Sequence, residues 1–383
     1  MSKHFSEDKF GEYSLIGSII TVLIYIVGLD FYNFSIRNIL KGDRNKNIRI
    51  NKVFSTFILY LIIYVVLFLI LYPIFHTISY VKPYILLIIF LGFTEHLSQE
   101  IYRLQIAFKK VLLANSLFFF RTISWVLVLL YKIWFNEPIT LQFLLQIWLI
   151  ANVLVILIVG LYEFNSNYKD LIKSKFDKNW VKKGLKIAMV FFAGTISLKM
   201  IEYSSRFILD FFVEKELTGV FIFYANIATL VTVYINTIVI SFEMPTLIET
   251  TNAKNIKTNL KAFEKLLKQH IVVVIVGILL VIKPILMWQN KPLFEVYLPI
   301  LFLMLVGVGM MNYSFKEHLH LYILHKDKIL LKILVLTNII SLFLTIGLTA
   351  LFGIYGTAVS FLISGVVLFY FRKKEVGKIN IIE

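Results

Sequence analysis

The chain has 383 residues, of which 59% are hydrophobic and 16% are charged, and its formal net charge is +16. An ordinary soluble domain carries about 25% charged residues, so this composition excludes a water-soluble globular protein and indicates a polytopic membrane protein. The chain has no cysteine, which excludes a disulfide framework, a thiolate metal site and a cysteine nucleophile.

The apolar residues fall into eleven runs, each long enough to cross a bilayer core of about 30 Å as a helix of about 20 residues. In chain order the predicted spans are 13–40, 53–72, 84–108, 111–131, 141–162, 184–213, 219–243, 271–288, 296–325, 329–352 and 354–371. The alternating segments of a membrane β-barrel do not fit these unbroken runs. We therefore predict an all-α polytopic membrane protein with about eleven transmembrane helices, the last two joined by a turn around Gly353 and Gly356.

Basic residues are concentrated in the loops of one predicted membrane face. Of the 39 Lys and Arg residues, 25 lie in alternating loops and the carboxyl-terminal tail, and 7 lie in the segments of the other face. The positive-inside rule predicts that the basic face and the carboxyl terminus are cytoplasmic. Anionic lipid beside that face accounts for the net charge, so we do not expect nucleic acid as a partner.

Two short internal matches indicate a repeated architecture. The stretch "KFGEYSLIGSIITVL" (9–23) is echoed by "LTGVFIFYANIATLV" (217–231), and "TEHLSQEIYR" (94–103) is echoed by "KEHLHLYILH" (316–325). Parallel repeats of this kind are typical of transporters, with the substrate path between the two halves.

The repeats predict two pseudo-repeated lobes. Residues 1–162 form an amino-terminal lobe of five helices, 163–183 form a cytoplasmic linker, and 184–383 form a carboxyl-terminal lobe of six helices. The linker either lies on the membrane surface as an amphipathic segment or is a solvated loop. Span 184–213 has no counterpart in the first lobe, so we expect either a truncated gene product or a start site upstream of Met1.

Charged and histidine residues lie inside the predicted spans. A charge at mid-bilayer costs at least about 2.5 kcal/mol on insertion scales, so such side chains face a partner or a water-filled cavity. Most recur every three or four residues, which places them in stripes on 84–108, 184–213 and 296–325. The signs alternate, so the stripes either form neutral ladders that hold helices together or line a hydrated cavity. Their occurrence on three helices favours the cavity.

These residues are candidates for a substrate or ion pathway. Cationic side chains would attract a phosphate, and Arg also binds it with two parallel hydrogen bonds. Carboxylates and His could bind and release protons or sodium. The candidates are Arg103, Arg121, Lys199, Arg206 and Lys316 for the anionic group, and Glu95, His96, Glu100, Glu202, Asp210, Glu317, His320 and Asp30 for the ion.

No sequence motif of a soluble-type enzyme is present. The chain lacks Gly-x-x-x-x-Gly-Lys-Ser/Thr, His-Glu-x-x-His, Gly-x-Ser-x-Gly and a strand-associated Gly-x-Gly-x-x-Gly. We therefore expect no catalytic residue, no metal and no cofactor. A membrane polymerase or transferase of polyprenyl-linked sugars is the enzymatic alternative, although the longest predicted external loop, 283–295, offers little material for an active site.

Two segments carry a resemblance to a known family. The run "SSRFILDFFVEKELTGVFIFYANIATLV" (204–231) resembles the junction of the seventh and eighth helices of the polysaccharide flippases in the multidrug/oligosaccharidyl-lipid/polysaccharide exporter superfamily. The run "DKFGEYSLIGSIITVLIYIVGLDFYNFSIR" (8–37) is similar to the junction before their second helix. Arg206 matches the family's Arg, whereas Ser205 stands where the family often has Asp.

The resemblance implies a two-lobed flippase, here without the family's first helix. Such a protein moves an undecaprenyl-diphosphate-linked oligosaccharide, an O-antigen or capsule repeat unit, across the bacterial inner (plasma) membrane by alternating access. It implies a cationic cavity, H⁺ or Na⁺ as coupling ion, membrane lipids around the protein and a polysaccharide polymerase as a further partner. The departure at Ser205 leaves Glu202 or Asp210 as substitutes for the missing carboxylate. A multidrug or cation antiporter of the same superfamily is the alternative.

Overall fold

The structure is a computed structural model that describes residues 5–41, 46–240, 242–243, 247, 253–324 and 326–382. Parts of two predicted cytoplasmic loops, at 42–45 and 248–252, lie outside the described residues. Within the described ranges the fold is helical without a strand, which confirms the predicted fold class. The helices are α1 (Glu7–Gly28), α2 (Tyr32–Lys41), α3 (Lys46–His76), α4 (Ile85–Ala107), α5 (Val111–Trp134), α6 (Leu141–Ile172), α7 (Lys178–Phe212), α8 (Lys215–Tyr234), α9 (Ala253–Gln289), α10 (Pro292–Val296), α11 (Leu298–Tyr313), α12 (Phe315–Ile323) and α13 (Asp327–Ile382).

The final helix, α13, is a hairpin of two membrane segments. Ten segments of the described chain are long and apolar enough to cross a membrane, and the last of them extends over 52 residues. It is interrupted at Gly353, whose φ of 56° and ψ of −133° are not helical. Hydroxyl groups join the two arms, with Thr349 and Thr357 2.8 Å apart and Thr345 and Ser360 3.0 Å apart. When the two arms are counted separately, the ten segments become eleven, which is the predicted number. The turn lies at the predicted position, Gly353.

The predicted first span, 13–40, is two helices rather than one. Helix α1 ends at Gly28, and Leu29 and Asp30 adopt left-handed backbone conformations with φ of 45° and 51°. Helix α2 begins at Tyr32 after this elbow. Left-handed conformations are strained for a side chain such as leucine, so the surrounding packing must hold the elbow in place.

Breaks also divide the predicted span 296–325. The short helix α10 ends at Val296, α11 begins at Leu298 and α12 begins at Phe315. Pro299 lies in the first turn of α11, where its missing N–H costs no intrahelical hydrogen bond and its fixed φ favours a helix start.

The predicted linker, 163–183, is mostly helical. Helix α6 continues to Ile172 and α7 begins at Lys178. The connection is fastened to α3, because the backbone N–H of Asp177 donates to Ser55 Oγ at 2.9 Å. Asp177 Oδ1 then accepts from the N–H of Trp180 at 2.9 Å, as an N-cap residue does.

The contacts divide the chain into two compact units. Unit 1 comprises Met1–Leu15 and Ser197–Glu383, and unit 2 comprises Ile16–Ile196. The core of unit 2 includes a cluster of Phe31, Phe34, Tyr60 and Trp180, and that of unit 1 includes a cluster of Leu321, Leu330, Ile333 and Leu368.

In unit 1, the two glycines that the sequence repeat aligns lie against each other. A Cβ on Gly11 would lie 2.2 Å from the carbonyl oxygen of Lys215, and one on Gly219 would lie 3.0 Å from Gly11 Cα. The start of α1 and the start of α8 therefore approach with backbone against backbone. Near this contact, Lys291 Nζ donates to the carbonyl oxygen of Phe5 at 2.5 Å and lies 3.7 Å from Glu7 Oε1.

Candidate functional site

The elbow between α1 and α2 places Asp30 beside helix α4 in unit 2. The ring of His96 packs against Gly28, because a Cβ on that glycine would lie 3.0 Å from His96 Nε2. Asp30 is buried and forms a hydrogen bond with the Thr195 side chain, and it interacts electrostatically with Arg103. Its Oδ2 atom has no hydrogen-bond partner among the described residues. One carboxylate oxygen is thus available for a cation or a proton.

Glu100 is the central residue of the polar face of α4. It accepts a hydrogen bond from the Tyr60 hydroxyl at 2.9 Å and forms an ion pair with Arg103 on the next turn. The guanidinium of Arg103 lies 3.8 Å from the centre of the Tyr32 ring, a cation–π contact. The Arg103 side chain keeps 29% exposure, whereas that of Glu100 keeps 3%. The Arg103 guanidinium is therefore partly accessible to solvent, whereas the Glu100 carboxylate is buried.

His96 extends this network by one helical turn. Its Nδ1 lies 2.8 Å from the Tyr64 hydroxyl, and its Nε2 lies 3.9 Å from the Glu100 carboxylate. The Tyr60 ring packs edge-on against the imidazole, with ring centres 4.6 Å apart. We name the set of Asp30, Glu100, Arg103 and His96, with the three tyrosines that contact it, the unit 2 charged cluster.

A second network on α4 surrounds the Glu95 carboxylate with donors, while Arg121 Nε has no hydrogen-bond partner among the described residues. The Glu95 carboxylate lies 3.3 Å from Arg121 and accepts hydrogen bonds from Trp148 Nε1 at 2.6 Å and Asn152 Nδ2 at 3.0 Å. The Ser98 hydroxyl bridges Arg121 and Asn152 at 2.9 and 2.8 Å. These groups neutralise one another in the interior of unit 2, as a structural ion pair does.

The α7 stripe makes two ion pairs and one hydrogen bond from Arg206 to a neutral side chain in unit 1. Lys199 and Glu202 are bonded at 2.7 Å on successive turns, as their spacing predicts. Arg206 donates to Asn226 at 3.1 Å, and Asp210 pairs with Lys215 of α8 at 2.7 Å.

The third predicted stripe meets a partner that lies outside the predicted spans. Lys316 of α12 is bonded to Glu264 of α9 at 2.5 Å, and the Tyr313 hydroxyl donates to the same carboxylate at 2.6 Å. Glu317 lies 3.9 Å from Lys316, and its Oε2 has no partner among the described residues. His320 is half-buried on the same helix.

Of the thirteen candidates, six lie in unit 2 and seven in unit 1. The structure brings four of them, Asp30, His96, Glu100 and Arg103, into one cluster, and the others lie in separate pairs or networks. The sequence reasoning missed Tyr60, Thr195, Glu264 and Arg372. Arg372 is buried, donates to Ser314 Oγ at 2.6 Å and interacts with Glu317. Its position directly after the apolar run 354–371 is a signal that it lies within a helix rather than in the basic tail.

Comparison with known proteins decides the family. The sequence model of the family described as "Polysaccharide biosynthesis protein" matches residues 3–251. The chain belongs to this family. A search of curated proteins found no match to it.

The fold of this family member is similar to that of MATE transporters. One solved structure, described as the inward-facing conformation of a multidrug resistance MATE family transporter of the MOP superfamily, matches 99% of this chain and 92% of its own, with 12% identity and a TM-score of 0.73. A crystal structure of a MATE point mutant matches 98% of this chain and 90% of its own, with 13% identity and a TM-score of 0.61. The chain is therefore a multi-pass membrane protein with the MATE fold.

Proposed function

We propose that this chain is a flippase that moves an undecaprenyl-diphosphate-linked oligosaccharide across the bacterial inner membrane by alternating access. The family match over residues 3–251 and the MATE fold support a transporter. The observation that carries the proposal is the unit 2 charged cluster, in which one partly exposed guanidinium lies beside two buried carboxylates. The proposed orientation has the carboxyl terminus in the cytoplasm, as the distribution of Lys and Arg indicates.

The chemistry of the cluster fits an anionic cargo and a coupling ion. Arg103 presents planar N–H donors suited to a diphosphate, while its pairing with Glu100 prevents an isolated charge within the membrane. Asp30 supplies a carboxylate oxygen without a protein partner among the described residues, which suits H⁺ or Na⁺. The proposed partners are the lipid-linked substrate, that ion, the surrounding lipids and a polysaccharide polymerase.

A multidrug or cation antiporter is the second candidate. Asp30 and Glu100 outnumber Arg103, so the cluster carries a net negative charge when both carboxylates are ionised, which favours a cationic cargo. A polymerase or transferase is less well supported, because the fold neighbours described above are transporters.

A deletion strain separates these functions. We expect loss of a flippase to leave single lipid-linked repeat units on the inner leaflet, whereas loss of a polymerase leaves single units at the surface. Loss of a drug exporter changes drug susceptibility and leaves the polysaccharide intact. Gel electrophoresis of surface polysaccharide measures its chain length, and glycosidase treatment of intact cells distinguishes repeat units on the outer leaflet from those on the inner leaflet. Full-length surface polysaccharide in the deletion strain would refute the proposal.

A substitution of Arg103 tests the cluster. We expect Arg103→Gln to lower transport into proteoliposomes by about tenfold or more, because one charge-assisted contact to phosphate is worth about 1.5–3 kcal/mol. Arg103→Lys keeps the charge and loses the planar arrangement of N–H donors, so its transport rate should lie between those of Arg103→Gln and the parent protein. Gel filtration of both variants controls for folding, and equal transport by Arg103→Gln and the parent protein would remove Arg103 from the pathway.

A further inference from the structure

A buried arginine lies near the predicted cytoplasmic end of α13 in unit 1. Arg372 directly follows the apolar run 354–371 and is only 5% exposed, whereas its neighbours Lys373 and Lys374 are exposed. A long cationic side chain near the end of a membrane helix can extend its charge into water. Because Arg372 is buried instead, groups in the interior must compensate its charge.

The Arg372 side chain contacts the break between α11 and α12. Its Nη1 donates to the hydroxyl of Ser314, the single residue between the two helices, at 2.6 Å. Glu317 and His318 follow three and four residues later, which places them on the same helical face as Ser314. Both interact electrostatically with Arg372. Arg372 thus has a neutral partner in contact and a carboxylate nearby. We call these four residues the α12 cluster.

Three buried atoms of the α12 cluster lack a hydrogen-bond partner among the described residues. They are Glu317 Oε2, His318 Nδ1 and Arg372 Nε. A buried carboxylate oxygen without a donor is costly when the group is ionised, and so is a guanidinium N–H without an acceptor. Rotation of Arg372 from Ser314 to Glu317 would satisfy one group of each kind. The geometry therefore gives Arg372 two alternative partners.

The charge of Glu317 determines which partner Arg372 takes. An ionised Glu317 accepts a charge-assisted hydrogen bond, which is stronger than the bond to a neutral hydroxyl. A protonated Glu317 loses this advantage, and Arg372 stays on Ser314 as in the structure. Sodium does not suit the carboxylate, because it would be a third positive charge beside Arg372 and Lys316, whose Nζ lies 3.9 Å from Glu317 Oε1. A proton is the cation that fits.

The titratable and charged groups around Glu317 come from its own helix and from the helices that pack against it. They are Glu264 of α9, Tyr313 of α11, Lys316 and His318 of α12, and Arg372 of α13. A positive charge on His318 would be repelled by Arg372, so Glu317 is the group that exchanges the proton. The bonded pair of Glu264 and Lys316 is partly exposed and connects the cluster to water on the predicted cytoplasmic side.

We propose that Glu317 is a proton-binding site that controls the break between α11 and α12 according to the cytoplasmic pH. Proton binding keeps Arg372 on Ser314, and proton release to water transfers Arg372 to Glu317. The Ser314 hydroxyl then keeps only its bond to the Met311 carbonyl, so the break loses its connection to α13 and changes its angle. The switch is separate from Asp30 and does not depend on the cargo.

Spin labels on either side of the break measure its angle, and the absence of cysteine makes the labelling specific. Val306→Cys and Lys326→Cys carry the labels at exposed positions, about 30 Å apart along the helix axis. We expect the distance between the labels to shift between mildly acidic and mildly alkaline buffer in the purified protein. Glu317→Gln should fix the distance at the acidic value. Glu375→Gln, at a partly exposed carboxylate of α13, is the matched control and should keep the shift.

Infrared spectroscopy identifies the proton. The difference spectrum between acidic and alkaline buffer should contain the C=O stretching band of protonated carboxyl groups. Part of this band should disappear in Glu317→Gln and remain in Glu375→Gln. A band unchanged by Glu317→Gln would overturn the assignment, and so would a label distance that does not respond to pH in the protein with native Glu317.

Ser314→Ala keeps the test decisive if Glu317→Gln does not fold. It removes the competing partner of Arg372, so the label distance should stay at the alkaline value. Opposite results for the two variants distinguish a change of partner from a general loosening of the helices. A Ser314→Ala protein that keeps the full pH response would refute the switch. All these measurements are made without substrate, so their failure leaves the proposed flippase intact, and failure of the transport assays leaves the switch intact.

Discussion

Two buried carboxylates of unit 2, Glu95 and Asp30, differ in the number of donors that satisfy them. The Glu95 carboxylate pairs with Arg121 and accepts hydrogen bonds from Trp148 and Asn152. Asp30 has one oxygen without a partner among the described residues. A charge inside a membrane is stable only with such compensation, so the surplus of donors around Glu95 indicates a structural role. The shortage at Asp30 indicates a role that requires a second, exchangeable partner.

Neutralising each carboxylate should have a different result. We expect Asp30→Asn to abolish the response of transport to an imposed H⁺ or Na⁺ gradient while the melting temperature stays near that of the parent protein. Glu95→Gln should instead lower the melting temperature, because breaking a buried pair leaves Arg121 uncompensated at a cost of about 3–5 kcal/mol. Proteoliposome transport and thermal unfolding measure the two effects. Retained gradient dependence in Asp30→Asn would contradict the assignment.

Residue spacing predicted the local contacts of these charges and not the distant ones. Glu100 pairs with Arg103, and Lys199 with Glu202, because helix geometry alone places residues three apart on one face. Thr195 and Glu264 were not predictable as partners, since each comes from another helix and no local pattern encodes which helices meet. The grouping of all thirteen candidates into one pathway remains a prediction.

Helix α1 is an element with a tight contact at its start and a left-handed elbow at its end. Near its start, Gly11 lies against the backbone of α8. The elbow at its end brings Asp30 to α4. The sequence repeat marked the two contacting glycines as equivalent, yet it could not show that they touch. Gly28 and Asp30 are residue types that suit a helix end, whereas the left-handed conformation of Leu29 depends on the surrounding packing and was not predictable.

Two alanine substitutions in α1 test the close approach. We expect Gly11→Ala to destabilise the purified protein by roughly 1–3 kcal/mol, because its Cβ would overlap the carbonyl of Lys215 and push the helices apart. Gly17→Ala is the matched control, since no atom lies within 4 Å of its Cβ position. It should raise stability by up to about 1 kcal/mol through helix propensity. Thermal unfolding in detergent makes the comparison; equal melting temperatures would show that α1 and α8 do not pack this closely.

For the whole molecule, the apolar runs were enough to predict an all-helical membrane fold. Each span must satisfy its own backbone hydrogen bonds, so length and hydropathy leave few alternatives. The fold does not identify a substrate, because the similar solved structures share only 12–13% identity with this chain. The proposed function assigns specificity to a few side chains such as Arg103 and Asp30, and composition does not reveal what they bind.

The absence of cysteine makes the predicted orientation directly testable. We expect Glu137→Cys to react with a membrane-impermeant maleimide in intact spheroplasts, because its loop lies on the predicted outer face. Lys328→Cys should react only after permeabilisation. Both native side chains are exposed, so reagent access alone does not distinguish them. The reverse labelling pattern would invert the topology, and the parent protein gives the background.

The hairpin of α13 bears on how the protein is made. Its two arms meet at Gly353, and a Cβ on nearby Gly356 would lie 1.9 Å from the carbonyl oxygen of Leu348. The turn is therefore tight, and no loop separates the two arms. Hydroxyl pairs such as Ser341 with Ser364 satisfy polar groups between the arms rather than against lipid. With no hydrophilic loop to translocate separately, the insertion machinery must release both arms into the bilayer together. We therefore expect the two arms to enter the bilayer as a preformed pair.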